Sequence, residues 1–370
     1  MAGREGPALP ALVNYLHGCN YPWSTDGSTI FYGLDFGANV WGSHLGVSTR
    51  RSAVARDFRE MAALGFTLVR WFLFCDGRGG IVYNDAGIPI GPDPHLFTDL
   101  DAAIEIARDE GIRVDLVLLD HHWMFSGLRE TVPDMATGAL FEARLPVGRA
   151  DVLLTDDGRD GLFEAVIEPL VRRYGPAGTR ADLGSVIAAY EFMNEPDFVI
   201  VEWEADLSSR VRRPLSFEVM AEMVSRLSDL VHGEHPGVLT TLGCARLHNL
   251  WAWDDDAMGL DVLQVHSYPD EWHPEREEDI FGTPASALGV RRAVILGEFP
   301  CNGPAQHPRG TAPPATTLDE YLEFAVRGGY VGGWPWSFSG TDAYGRVPVE
   351  PLRRFAERHP DLVNPRAKLT

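Results

Sequence analysis

The sequence predicts an α/β fold, a single (β/α)8 TIM barrel. Three observations carry that expectation. Eight short β-prone runs alternate with longer helical patterns, polar and aromatic residues collect where those runs end, and the composition keeps one regime along all 370 residues. Barrels of this kind run well past about 200 residues as one unit. The expected organisation is one barrel domain over residues 1–370, with a rim insertion at about 123–160. A doubly wound open sheet is the alternative, but no GxGxxG follows an early strand.

The elements follow in order. "YLHGCNY" reads as a first strand. "RRSAVARDFREMAALG" carries apolar residues at helical spacing and stops at Gly65. "FTLVRWFLF" is apolar without alternation, as a parallel strand covered on both faces should be. "FTDLDAAIEIARDEG" is a helix, with Thr98 or Asp99 as cap and Gly111 as stop. "IRVDLVLLD", "SVIAAYEFMNEP", "VLTTLGCA", "DVLQVHSYP", "RAVILGEFP" and "YVGGWPWSF" supply strands three to eight. "GLFEAVIEPLVRRYG" and "LSFEVMAEMVSRLSDLVHGEHPG" are helices flanking strand four. "TLDEYLEFAVRGG" lies between strands seven and eight, and "VEPLRRFAERHP" closes the chain. "LHNLWAWDDDAMGL" and residues 270–290 have room only for short helices. The stretch from Trp123 to about Asp160 is irregular and would form a rim loop; connections that long are often functional.

Composition narrows the partners. The formal net charge is −21. A surface that acidic repels phosphate backbones and anionic lipids, so neither nucleic acid nor membrane is an expected partner. Neutral ligands are unaffected. Pro7 and Pro10 break the one apolar candidate near the N-terminus, so no signal peptide or membrane span is expected. The expected location is cytoplasmic, or secreted if a leader has been trimmed. Cys19, Cys75, Cys244 and Cys301 show no CxxC spacing, which fits reduced thiols rather than zinc.

In such a barrel the C-terminal strand ends share one face, and active sites sit there. Strand two carries Arg70. Strand three ends in Asp120, His121, His122 and Trp123. Strand four ends in Asn194-Glu195-Pro196, strand six in His266-Ser267-Tyr268, strand seven in Glu298, and strand eight in Trp334-Pro335-Trp336. Glu195 and Glu298 therefore face each other across the mouth. Two such carboxylates suit glycoside hydrolysis, one protonated to release the leaving oxygen and one ionised to attack. Arg70 beside one glutamate would keep it charged, and Tyr268 can donate to the same carboxylate. Asn194 is placed to bind a sugar 2-hydroxyl. Trp336 can stack on a sugar ring.

This pattern resembles the clan-A glycoside hydrolases, most nearly the family 5 cellulase and mannanase type. That group has an Arg on strand two, D-x-H on strand three, Asn-Glu-Pro on strand four, H-x-Y on strand six, Glu on strand seven and Trp on strand eight. The chain carries Arg70, Asp120-x-His122, Asn194-Glu195-Pro196, His266-x-Tyr268, Glu298 and Trp336 in that order. The resemblance implies retention, with Glu195 as acid/base, Glu298 as nucleophile and no cofactor or metal. It implies a neutral oligosaccharide or glycoside as substrate, a β-mannoside or β-glucoside before a β-galactofuranoside. Spacing favours His122 over His121 for the family histidine, and the following Ser337 favours Trp336 over Trp334.

Blander readings stand beside these. Arg70 could neutralise a structural acid. His121 and His122 occupy adjacent strand positions, so at most one should face the pore, which argues against a metal pair. Trp251, Trp253 and Trp272 could stack on sugar or pack under loops. Asp254 to Asp256 reads as a solvated acidic patch. Cys75 and Cys301 read as small buried hydrophobes. A sugar-binding barrel without activity and a metal-dependent hydrolase are the rivals from other classes.

Overall fold

The computed structural model describes residues 15–24, 35–38, 44–124, 129–133, 140–144, 149–203, 214–268, 280, 282–301, 317–340 and 345–367. Residues 1–14 and Trp272 lie outside this set. Eight strands close into a barrel: β1 (Leu16–Asn20), β2 (Leu68–Phe72), β3 (Arg113–Asp120), β4 (Ile187–Asn194), β5 (Leu239–Cys244), β6 (Leu263–His266), β7 (Val294–Pro300) and β8 (Gly332–Trp336). Each pairs in parallel with its neighbours in sequence, and β8 returns to β1.

The interior is built in layers, because alternate strand residues point inward. The lowest layer is apolar: Leu16, Leu68, Ala189, Leu239, Val262, Ile295 and Trp334. Gly18 admits the indole of Trp334; a Cβ there would stand 2.6 Å from its Cδ1. The Trp334 Nε1–H donates to the Leu16 carbonyl at 3.0 Å. Above it lies a fully buried polar layer of Asn20, Arg70, Asp115, Glu191, Thr241 and Gln264. Phe72, Cys75 and Val117, with Trp336 against them, line part of the mouth.

Helices cover the outside, among them α1 (Arg51–Ala63), α2 (Leu96–Glu110), α3 (Glu168–Tyr174), α4 (Phe217–Glu234), α5 (Leu318–Arg327) and α6 (Val349–Arg358). Their apolar stripes make the larger core. On α4, for instance, Met220, Met223, Val224, Leu227 and Val231 are buried at helical spacing. Each such side chain contributes about 1.5–3 kcal/mol relative to exposure. A π-helical stretch, Gly161–Ile167, leads into α3. Among the described residues no helix is long and apolar enough to cross a membrane. All four cysteines are buried.

Several details differ from the sequence expectation. Helix α2 starts before Thr98. Asp93 accepts the His95 and Leu96 amides at 2.7 and 3.0 Å, while Asp99 turns away to accept from Gly37 and Ser48. Gly111 ends the helix in the left-handed region, as expected. The insertion is not irregular throughout. It holds a hairpin, Arg129–Pro133 with Leu140–Arg144, and two short helices, Arg149–Leu154 and Asp156–Asp160. A second hairpin, Ile81–Tyr83 with Pro89–Pro92, follows β2. The acidic run after β5 is tied down: Arg292 reaches Asp254 at 2.8 Å, and Arg291 reaches Asp256 at 3.0 Å.

Candidate active site

The mouth brings together nine of the ten residues singled out from the sequence: Arg70, His121, His122, Asn194, Glu195, His266, Tyr268, Glu298 and Trp336. Trp334 belongs to the lowest layer, fully buried.

Glu195 follows β4 directly. Its amide donates to the Gly243 carbonyl at 2.8 Å, and its backbone takes φ 51°, ψ 52°, a left-handed conformation unusual outside glycine. Pro196 then starts a 3₁₀ turn. The carboxyl meets His266 Nδ1 at 2.9 Å and lies 3.8 Å from His121 Nδ1. Burial pushes its pKa up to about 7, against the opposing pull of His121.

Glu298 sits where β7 breaks register against both neighbours. Arg70 Nη1 donates to Oε1, and the Tyr268 hydroxyl donates to Oε2 at 2.8 Å. Burial raises this carboxyl too, but His266, Arg70 and the Tyr268 hydrogen bond oppose the rise. The two glutamates thus differ in kind: Glu298 receives two fixed donors, one of them a guanidinium, whereas Glu195 faces imidazoles. One oxygen of each carboxyl and a nitrogen of His266 all fall within 4.8 Å of one another.

Arg70 is the hub. Burial alone would lower its pKa, but Glu191 and then Glu298 hold it higher. All five of its N–H donors are used. Nε and Nη2 grip Glu191 at 2.7 and 2.6 Å, Nη2 also reaches Asn194 Oδ1 at 2.7 Å, and Nη1 reaches Asn20 Oδ1 at 2.9 Å as well as Glu298. One guanidinium thus both neutralises the buried Glu191 and contacts Glu298. Asn194 is fixed from two sides, because its Nδ2 donates to Asp120 Oδ2 at 2.8 Å. Asn20 locks the base of the site by donating to the Gly297 and Trp334 carbonyls at 2.9 and 3.1 Å.

The two histidines require a correction. His121 to Met124 form a 3₁₀ turn rather than a strand, so both rings lie on one side and stack at 4.3 Å. His122 Nδ1 bonds Asp120 Oδ1, and His121 lies 3.6 Å from Oδ2. Asp120 is held well below the usual carboxylate range: burial works against this, and His121 and His122 outweigh it. Two groups here have ligand-like spacing, Asp120-His121-His122 and Glu195-His266-Glu298. In the first, Asp120 is already bonded to His122 and Asn194. In the second, a cation would sit against the guanidinium of Arg70.

Trp336 is partly exposed at the mouth, edge-on to Phe72 at 6.2 Å and to Trp23 at 6.3 Å. A cis peptide joins it to Ser337. Trp251 is 69% exposed on the turn after β5, whereas Trp253 packs on Trp203 and Phe217. Sequence reasoning missed Glu191, Asp115, Gln264 and Trp23. The available signal for the acids was a charge at an inward position of an otherwise apolar strand.

A closed parallel barrel with two unlike carboxyls across its mouth, this close together, defines a glycoside hydrolase of the retaining kind. No protein-family model matches the chain. The chain is similar to mannan endo-1,4-beta-mannosidase 1 of Oryza sativa subsp. japonica, 26% identical over 328 residues, covering 80% of this chain and 72% of that protein. It is also similar to the mannan endo-1,4-beta-mannosidase of Mytilus edulis, 22% identical over 357 residues, covering 87% and 83%. Among solved structures, the β-mannanase of Mytilus edulis superposes with a TM-score of 0.68 at 18% identity, covering 96% of this chain and 94% of that one. The endo-1,4-β-mannanase of Eisenia fetida gives 0.66 at 17% identity, covering 96% and 91%. The chain is a glycoside hydrolase that is similar to the family 5 β-mannanases.

Proposed function

We propose that this enzyme hydrolyses β-1,4-mannosidic linkages in neutral oligosaccharides by double displacement. Glu298 is the nucleophile and Glu195 the acid/base. The observation that carries the assignment is the asymmetry of the pair. Glu298, held by Arg70 and Tyr268, is kept as a carboxylate able to attack the anomeric carbon. Glu195, with a pKa near 7, keeps its proton for the leaving oxygen at mildly acidic pH. Separation within 4.8 Å leaves no room for a water between them, which supports attack by the carboxylate itself.

In the first step the Glu298 oxygen bonds the anomeric carbon while Glu195 protonates the departing oxygen. In the second, Glu195 takes a proton from water, and the hydroxide equivalent displaces Glu298 with net retention. Asn194 uses its remaining Nδ2 hydrogen on the sugar 2-hydroxyl. The activities named for the rice and mussel relatives support mannan as the substrate class. The test is product analysis on β-1,4-manno-oligosaccharides beside cello-oligosaccharides, with the anomer of the first product read by NMR. Release of the α-anomer, or turnover of cello-oligosaccharides alone, would overturn the proposal.

A further inference from the structure

Beneath Glu298 the barrel holds three carboxyls around one guanidinium: Glu298, Glu191 and Asp115 are all buried within reach of Arg70. The hydrogen bonds decide how they share it. Glu191 accepts three N–H groups, two from Arg70 and one from Gln264 Nε2 at 2.7 Å. Glu298 accepts the guanidinium and a phenol. Asp115 accepts none, because the five donors of Arg70 are spent elsewhere and neither Asp115 oxygen meets another donor. Asp115 pairs with Arg70 in the strand register, and its carboxyl lies against that of Glu191. Gly243 keeps this space clear, since a Cβ there would stand 2.6 Å from Glu191 Oε1.

Two like charges in contact inside a barrel cannot both persist. We propose that Asp115 and Glu191 form a proton-sharing carboxyl pair, with the proton on Asp115 and the charge on Glu191, and that this pair positions Arg70 so that Nη1 is aimed at Glu298. A proton on Glu191 would instead weaken two charge-assisted bonds and release the guanidinium from its seat. Burial, followed by the charge of Glu191, drives the Asp115 carboxyl toward its neutral form, with Arg70 opposing. Asp115 and Glu191 act through Arg70 and are positioning residues. The part of this inference that concerns activity rests on Glu298 being the nucleophile.

The first test is independent of activity. Infrared spectra above neutral pH, taken on a Glu195→Gln background to silence that carboxyl, should contain the carbonyl stretch of a protonated carboxylic acid. Asp115→Asn should remove it; absence of the band, or its survival in Asp115→Asn, overturns the proposal. The second test is kinetic. Asp115→Leu deprives Glu191 of its donor and should lower kcat by about tenfold or more, and Asp115→Asn, which restores an N–H toward Glu191, should recover most of that loss. In Glu191→Gln/Asp115→Asn the whole charge of Arg70 falls on Glu298, which is otherwise faced by Glu195, His266 and Tyr268. The acid limb of kcat/KM should then move down by about one pH unit. An unmoved limb, with the fold intact by circular dichroism, overturns the coupling. Labelling with a 2-deoxy-2-fluoro mannoside separates the two readings. A label away from Glu298 would sink the nucleophile assignment while leaving the infrared result to judge the carboxyl pair.

Discussion

Tyr268 donates its hydroxyl to Glu298 Oε2 at 2.8 Å, on the oxygen opposite the one held by Arg70. A donor aimed at a carboxylate stabilises the charged form, so removing it raises the pKa. Tyr268→Phe should therefore move the acid limb of kcat/KM to higher pH. A hydrogen bond to a charged group is worth about 1.5–3 kcal/mol, so the shift should be about one unit or more. A pH profile on an aryl β-mannoside reads it; a lower kcat with the limb in place would mean that Tyr268 acts on the sugar instead.

The two glutamates should fail differently. If Glu298 is the nucleophile as proposed, Glu298→Ala removes the carboxylate that bonds the sugar and should abolish turnover of every substrate. Glu195→Ala should spare glycosylation of substrates whose leaving group needs no proton. Added azide should then enter the vacated face and yield a glycosyl azide of retained configuration. Mass spectrometry and NMR of the product check this. Equal loss on activated and natural substrates, without azide rescue, would count against Glu195 as acid/base.

Glu195 also ties stability to pH. Its folded pKa of about 7 lies above the ordinary carboxylate value, so the folded state binds the proton more tightly than the unfolded one. Stability is then greatest below the unfolded pKa and falls as pH rises toward 7. A shift of that size corresponds to about 3 kcal/mol once both states are ionised. Glu195→Gln should consequently raise Tm on the alkaline side of neutrality and leave it nearly unchanged in acid. Thermal scans across pH decide; a uniform change at all pH values would mean that the carboxyl is not penalised by burial.

The barrel was legible because eight apolar runs without alternation have few other uses. The mouth was legible because polar side chains ending such runs are costly without a purpose. What stayed hidden was whatever depends on closure. Glu191 sits four residues before Glu195, yet its partner Arg70 is 121 positions away. Neither the Glu191–Gln264 bond nor the Asn20–Gly297 bond has any local signature. His121 and His122 were misjudged because strand alternation was carried past the end of β3, where the chain has already turned into a 3₁₀ coil. The cap of α2 was misplaced for a related reason: Asp93 and Asp99 both suit a helix start, and only tertiary contacts to Gly37 and Ser48 draw Asp99 away.

The two tryptophans of β8 give the sharpest contrast. Trp334 is fully buried against Gly18, and its indole is hydrogen-bonded to the Leu16 carbonyl. Trp334→Ala leaves a cavity in a layer that closes the barrel, and should cost about 3–5 kcal/mol of stability. Trp336 stands at the mouth, two residues on, across the β7–β8 ladder from Pro300 and so near Glu298. Its ring is partly exposed, and in the proposed mechanism it stacks on the sugar being cleaved. Such contact is worth about 0.5–1.5 kcal/mol beyond burial. The positive charge that develops on the ring in the transition state is also drawn to an aromatic face. The gain should therefore be larger in the transition state than in the ground state, and Trp336→Ala should lower kcat as well as raise KM. Trp334→Ala should lower Tm, and the fraction that folds should turn over almost normally. Steady-state kinetics on folded protein, with Tm measured in parallel, separate the two. Folded Trp336→Ala enzyme with unchanged kcat/KM would move the platform to Trp23 or to the exposed Trp251.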